Sequence, residues 1–131
     1  MELRKKEFTF KGKTLEELKV LDIREFAKYL NSRQRRTVLR EFQKIEDFVN
    51  RAKEKIEKGK KIRTHLRDLV IVPEMVGMTI GIYNGQNFIQ IEIIKEMLGH
   101  KFGEFSPTRN KVNHGNAGVG ATKGSKHKSK K

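Results

Sequence analysis

Between Val38 and Ile56 the apolar residues Val38, Phe42, Ile45, Val49, Ala52 and Ile56 recur at alternating steps of four and three. That spacing draws one narrow stripe along an α-helix and fits no strand, whose faces alternate every two residues. Ser32 stands where a capping residue would open such a helix and Gly59 where one would close it, so a helix is predicted over about 32–59. At 1.5 Å per residue, about 26 residues reach ~39 Å, longer than a domain of this size is wide. The rest of the fold must dock along one side of this helix, and part of it is expected to project from the body.

Upstream, Thr14 and Glu17 have the spacing of a capping box, in which hydroxyl and carboxylate satisfy free backbone N–H groups reciprocally; Asp22 and Glu25 repeat it. Two short helices are expected, about 15–20 and 23–30, the second carrying Ile23, Phe26, Ala27 and Leu30 on one face. Downstream the period changes. Leu69-Val70-Ile71-Val72 reads as a short buried strand stopped by Pro73, and Thr79–Tyr83 and Asn87–Ile93 read as a hairpin joined by Asn84-Gly85-Gln86. Asn and Gly both tolerate the positive φ of a tight turn. Ile89, Ile91 and Ile93 alternate with Gln90 and Glu92, so one face should be buried and the other wet. A helical turn around Lys95–Leu98 closes the domain. From Ser106 onward there are four glycines, seven cations, no acid and no apolar period, which is the composition of a segment unable to fold alone. The expected fold is α+β: N-terminal helices (1–31) and a long basic helix (32–59) packed beside a small three-stranded, mainly antiparallel sheet (60–105), then an extended basic tail (106–131).

Charge restricts the function. The 131 residues hold 30 Lys and Arg against 16 Asp and Glu, a net charge of +14, far more than solubility requires. The excess is segregated: residues 51–67 hold eight basic and two acidic residues, residues 68–100 only Lys95 against four acids, and residues 101–131 eight basic residues and one acid. A folded centre with basic flanks points to a polyanionic partner, and nucleic acid fits because neutralising phosphates releases condensed counterions. No apolar run approaches the ~20 residues that cross a bilayer, and MELRKKEFTF lacks the apolar stretch of a signal peptide, so a cytoplasmic protein without membrane contact is expected. Cysteine is absent, and the histidines at 65, 100, 114 and 127 make no zinc spacing; neither metal nor cofactor is expected.

Candidate contacts follow the cations. Arg33, Arg35 and Arg36 crowd the start of the long helix, where its dipole is already positive, a conflict that an external anion would relieve. Lys58, Lys60, Lys61, Arg63, His65 and Arg67 occupy what reads as a loop leading into the first strand. Gly99-His100-Lys101-Phe102-Gly103-Glu104-Phe105-Ser106-Pro107-Thr108-Arg109 interleaves cations, rings and glycines, which suits close approach to RNA. Phe102, Phe105, Met75 and Met78 read as packing residues. His100 and Glu104 lack a second carboxylate, a nucleophile or a metal set, so no enzyme is expected. Gly115, Gly118 and Gly120 precede nothing helix-like and do not make a nucleotide loop.

Thr64-His65-Leu66-Arg67-Asp68, Ile71-Val72-Pro73-Glu74-Met75-Val76-Gly77, Ile82-Tyr83-Asn84-Gly85 and Glu96 through Arg109, in this order, resemble the family of the nineteenth protein of the small ribosomal subunit. The resemblance is strong over about residues 60–121, and the N-terminal helices with Ser32-Arg33-Gln34-Arg35-Arg36 resemble its archaeal and eukaryotic branch, the archaeal by preference. It implies a structural protein of the subunit head that binds the 3′ major domain of the small-subunit ribosomal RNA beside the thirteenth small-subunit protein, with a tail extending toward the tRNA sites. By the same resemblance RNA contact falls to His100, Lys101, Thr108, Arg109, Lys111 and His114, with Lys60, Lys61, Arg63 and Arg67 on the approach to the first strand. This chain departs from the branch after Thr122: Lys123–Lys131 replaces a serine pair and an apolar-basic ending. The alternative from another class is a basic nucleoid or chromatin-type DNA-binding protein, suggested by the tail and the arginine-rich helix.

Overall fold

The computed structural model describes residues 7–124; residues 1–6 and 125–131, including His127, lie outside them. A small hairpin, not anticipated from the sequence, opens the chain: β1 (Thr9–Phe10) pairs antiparallel with β2 (Lys13–Thr14). Lys11 and Gly12 between them have φ of 51° and 83°, the left-handed pair of a two-residue turn. Thr14 ends β2 and caps α1 (Leu15–Val20), its hydroxyl accepting from Glu17 N–H while the Glu17 carboxylate accepts from Thr14 N–H, as the spacing predicts. The second cap differs, because Asp22 accepts from the adjacent Ile23 N–H. The helix expected over 23–30 is α2 (Ile23–Phe26) continued by a 3₁₀ turn, Ala27–Tyr29.

The long helix α3 spans Ser32–Glu57. Its N-cap is Asn31 rather than Ser32, and no side-chain bond closes that cap. Gly59, at φ 62°, follows its end. Val38, Ile45, Val49 and Ala52 of the stripe are buried, as is Phe48 beside it, while Ile56 is half exposed, so the helix runs past the core only in its last turn. At Glu41 the backbone leaves helical geometry (φ −117°, ψ 21°) and kinks the helix.

The sheet is mixed. The central strand β4 (Thr79–Tyr83) pairs antiparallel with β5 (Phe88–Glu92) and parallel with β3 (Ile62–Thr64). The β3 segment corrects the sequence reading, which left these residues in a loop: Ile62 and Thr64 are buried and Arg63 points out, a strand alternation hidden among cations. Conversely, Leu69–Val72 belongs to no sheet. All four residues are buried, and their backbone is laced to the glycine-rich segment instead: Phe102 N–H to Leu69 O at 3.1 Å, Ile71 N–H to His100 O at 2.8 Å, Gly99 N–H to Ile71 O at 3.2 Å. The ladder stops after the single bridge Val70–Lys101 because the partner turns into a 3₁₀ helix at Phe102–Phe105.

The hairpin turn also works differently from expectation. Only Gly85 has positive φ (101°); Asn84 contributes its side chain, accepting at Oδ1 from the N–H groups of Gln86 and Asn87. A 3₁₀ turn at Lys95–Met97 follows β5, as expected. The core unites Leu18, Phe26, α3, Leu69–Val72, Met75, Ile80, Ile82, Ile93 and Phe102. From Pro107 to Gly124 every residue is exposed and no helix or strand forms.

Candidate nucleic-acid interface

The exposed side of α3 carries cations in helical register. Arg33, Arg36, Arg40 and Lys44 are spaced three, four and four apart, which places them on one face, and Lys101 approaches that face from the glycine-rich segment. Together with Thr37, Glu41 and Asp68 they line an open concavity. Lys44 is paired with Glu41 at 3.2 Å, and Asp68 offsets one more cation, so the three arginines and Lys101 leave the concavity with a net charge of +3. Sequence reading identified Arg33, Arg36 and Lys101 but missed Arg40 and Lys44, although their spacing along the helix was the available signal.

Arg35 does not join this face. Its guanidinium turns back and donates to the carbonyls of Ala27 (3.3 Å), Lys28 (3.3 Å) and Leu30 (3.0 Å), acceptors at the C-terminal end of the preceding helical turns. Arg67 is turned inward in the same way. It donates to Tyr83 O at 2.6 Å, Gly103 O at 2.9 Å and Ser106 O at 2.6 Å, tying the end of β4 to the glycine-rich segment and to the root of the tail. Fully buried Ser106 adds a hydroxyl bond to Ile82 O. The structure therefore gives both arginines an architectural position where sequence reading expected phosphate contact.

The segment that delivers Lys101 is built to a tight tolerance. Gly99 has φ 79°, and a Cβ there would sit 3.0 Å from Leu30 Cδ2. A side chain at Gly103 would crowd Arg67 at 3.3 Å. Phe102 is buried edge-on to Phe48 of α3 at 5.5 Å, and Phe105 packs at the core margin, so both rings are packing residues as expected. His100 is half exposed, with Nδ1 2.6 Å from the Glu104 carboxylate and its ring against Phe105.

A second basic concavity lies where the C-terminal half of α3 meets β3. Arg51 and Lys55, again four apart, line it with Arg63 and His65. Lys60 and Lys61 are exposed nearby on the approach to β3, beside Gly59 and Gln90. Thr108, Arg109, Lys111 and His114 are exposed and lie in no helix or strand. Most of the predicted residues thus fall into three groups, the first concavity, the β3 edge and the tail, while Arg35, Arg67 and His100 stand apart from them.

A family model described as "Ribosomal protein S19" matches residues 24–114. The chain is 47% identical over 124 residues to the small ribosomal subunit protein uS19 of Methanococcoides burtonii, covering 94% of this chain and 88% of that protein. It is 48% identical over 125 residues to the protein of that name from Methanocella arvoryzae, covering 95% and 87% of the two chains. With that of Methanococcus maripaludis the identity is 46% over 129 residues, covering 93% and 80%.

Proposed function

The chain belongs to the ribosomal protein S19 family, of the archaeal type, and on that premise we propose that its basic concavities are the surfaces through which it holds small-subunit ribosomal RNA. It is a structural constituent of the small ribosomal subunit, acting on the ribosome as an RNA-binding component and not as an enzyme.

The observation that carries the RNA reading is the convergence of Arg33, Arg36, Arg40 and Lys101, from two separated segments, on one open surface. A concave cationic surface on a rigid body accepts phosphates at defined separations, which favours folded RNA over a flexible polyanion. Lys60, Lys61 and Arg63 would continue the contact along the β3 edge, and Thr108, Arg109, Lys111 and His114 would follow the RNA as the tail orders on it. His100, held at Nδ1 by Glu104, has Nε2 left for the same partner. Arg35 and Arg67 hold the body in shape. The motif resemblance supports taking the RNA to be the 3′ major domain in the subunit head, with the thirteenth small-subunit protein as neighbour and tRNA within reach of the tail.

The test is charge reversal in the full chain. Arg33→Glu, Arg36→Glu and Arg40→Glu together leave the fold intact, since all three side chains are exposed. They should remove co-sedimentation with small subunits through a moderate salt wash. The slope of log affinity against log salt for small-subunit ribosomal RNA should become shallower by about 3. Equal affinity of the unaltered protein for random duplex DNA and for ribosomal RNA at one salt concentration would overturn the reading.

A further inference from the structure

The outward face of the mixed sheet carries aromatic rings that the core does not use. Tyr83 and Phe88 are register partners across β4 and β5, with centroids 5.1 Å apart. His65, directly after β3, closes a triangle with them at 4.6 Å and 5.1 Å. His65 is exposed and the other two are half-buried. A cluster needed only for packing would be covered, and a ring triangle at a hairpin tip has no core beneath it to fill.

Arg63 completes the arrangement. It sits on one edge strand, yet its guanidinium lies 5.3 Å from the ring of Phe88 on the opposite edge strand. It can cross because Gly81, its register partner on the central strand, has no side chain: a Cβ there would lie 2.6 Å from Gln90 Nε2 and 3.4 Å from Arg63 Cγ. The rings are held in place. Tyr83 O–H donates to Gly85 O at 3.0 Å, and the Asn84 side chain fixes the turn between the two ring-bearing strands. Arg51 and Lys55 of α3 flank His65 in the second basic concavity.

We propose that Arg63, His65, Tyr83 and Phe88 form a stacking platform for an unpaired RNA nucleobase, whose adjoining phosphates are met by Arg51 and Lys55. The proposal rests on the RNA-binding reading above and adds a single-stranded element to it. Exposed rings beside a planar guanidinium offer π-faces to a base, and fixed rings lose little freedom on binding. Duplex RNA keeps its bases stacked internally, so the occupant is a nucleotide from a loop, bulge or single-stranded junction.

The experiment uses the full chain, small-subunit ribosomal RNA, and a single-stranded oligoribonucleotide carrying 2-aminopurine, whose fluorescence falls on stacking. The unaltered protein should quench the probe. His65→Ala with Phe88→Leu should abolish quenching and weaken ribosomal RNA binding about tenfold, as loss of one stacked base does. The salt slope should stay unchanged, because no cation is removed. His65→Phe, which keeps an aromatic face at an exposed position, should retain quenching, and an unchanged urea melt of His65→Ala with Phe88→Leu excludes loss of folding as the cause. Unchanged ribosomal RNA affinity in His65→Ala with Phe88→Leu, while the α3 charge reversal still weakens binding, would overturn the platform and leave the RNA-binding reading standing. The opposite pattern, quenching intact while ribosomal RNA is no better a ligand than duplex DNA, would overturn that reading and the platform's role in it.

Discussion

Arg67 shows how little a cation's identity says about its destination. In sequence it is one of eight basic residues in a short run, and counting charge assigns it to phosphate. In the fold it bridges three carbonyls from segments up to 39 positions away. Those carbonyls are part-buried acceptors, and a guanidinium satisfies them with several donors from one planar group, which an ammonium cannot reproduce. Arg67→Ala should therefore lower unfolding stability by roughly 2–4 kcal/mol, with Arg67→Lys recovering little of it. A urea melt reads this directly, and a loss below 0.5 kcal/mol, the scale of an ordinary surface change, would refute the structural role. His100 teaches a milder version: the motif placed it four residues from Glu104, and the fold brings the two side chains to 2.6 Å.

Helix starts separate two kinds of capping. Thr14 and Glu17 close a reciprocal box on α1, whereas Asn31 leaves α3 without a side-chain cap bond. Thr14→Ala should cost about 1 kcal/mol and Asn31→Ala a few tenths, measured by thermal melting of the two variants; equal losses would contradict the cap geometry. The helices were legible because a 3.6-residue period survives over many residues, and so was the long β4–β5 hairpin, whose isoleucines alternate over a full strand. Short elements escaped. The three residues of β3 lie inside a cationic run, so composition masked their alternation. The two-residue strands β1 and β2 offer no period at all. Leu69–Val72 was misread for the opposite reason: an apolar run reports burial, and burial by a laced loop looks the same as burial in a sheet. Of the candidate site, the cation-bearing segments were readable, but which cations converge and which turn inward depends on tertiary contacts that no local pattern carries.

The whole molecule divides by order. From Glu7 to Ser106 the chain is tied by core packing and the Arg67 bonds; from Pro107 to Gly124 its residues are exposed and form no helix or strand. Limited trypsin digestion should cut first after Arg109 and Lys111, and bound small-subunit ribosomal RNA should slow those cuts more than cuts elsewhere. Early cleavage within α3 at Arg40 or Lys44 would contradict the division. The anchoring of Ser106 has a further consequence for how the two parts cooperate. Eighteen residues, Pro107 to Gly124, span at most ~60 Å from a fixed root. Once the body has docked, those eighteen residues search only within that radius, at an effective concentration on the order of millimolar. Individually weak tail contacts then become frequent without a second diffusional encounter, and the body's placement decides which surfaces the tail can sample.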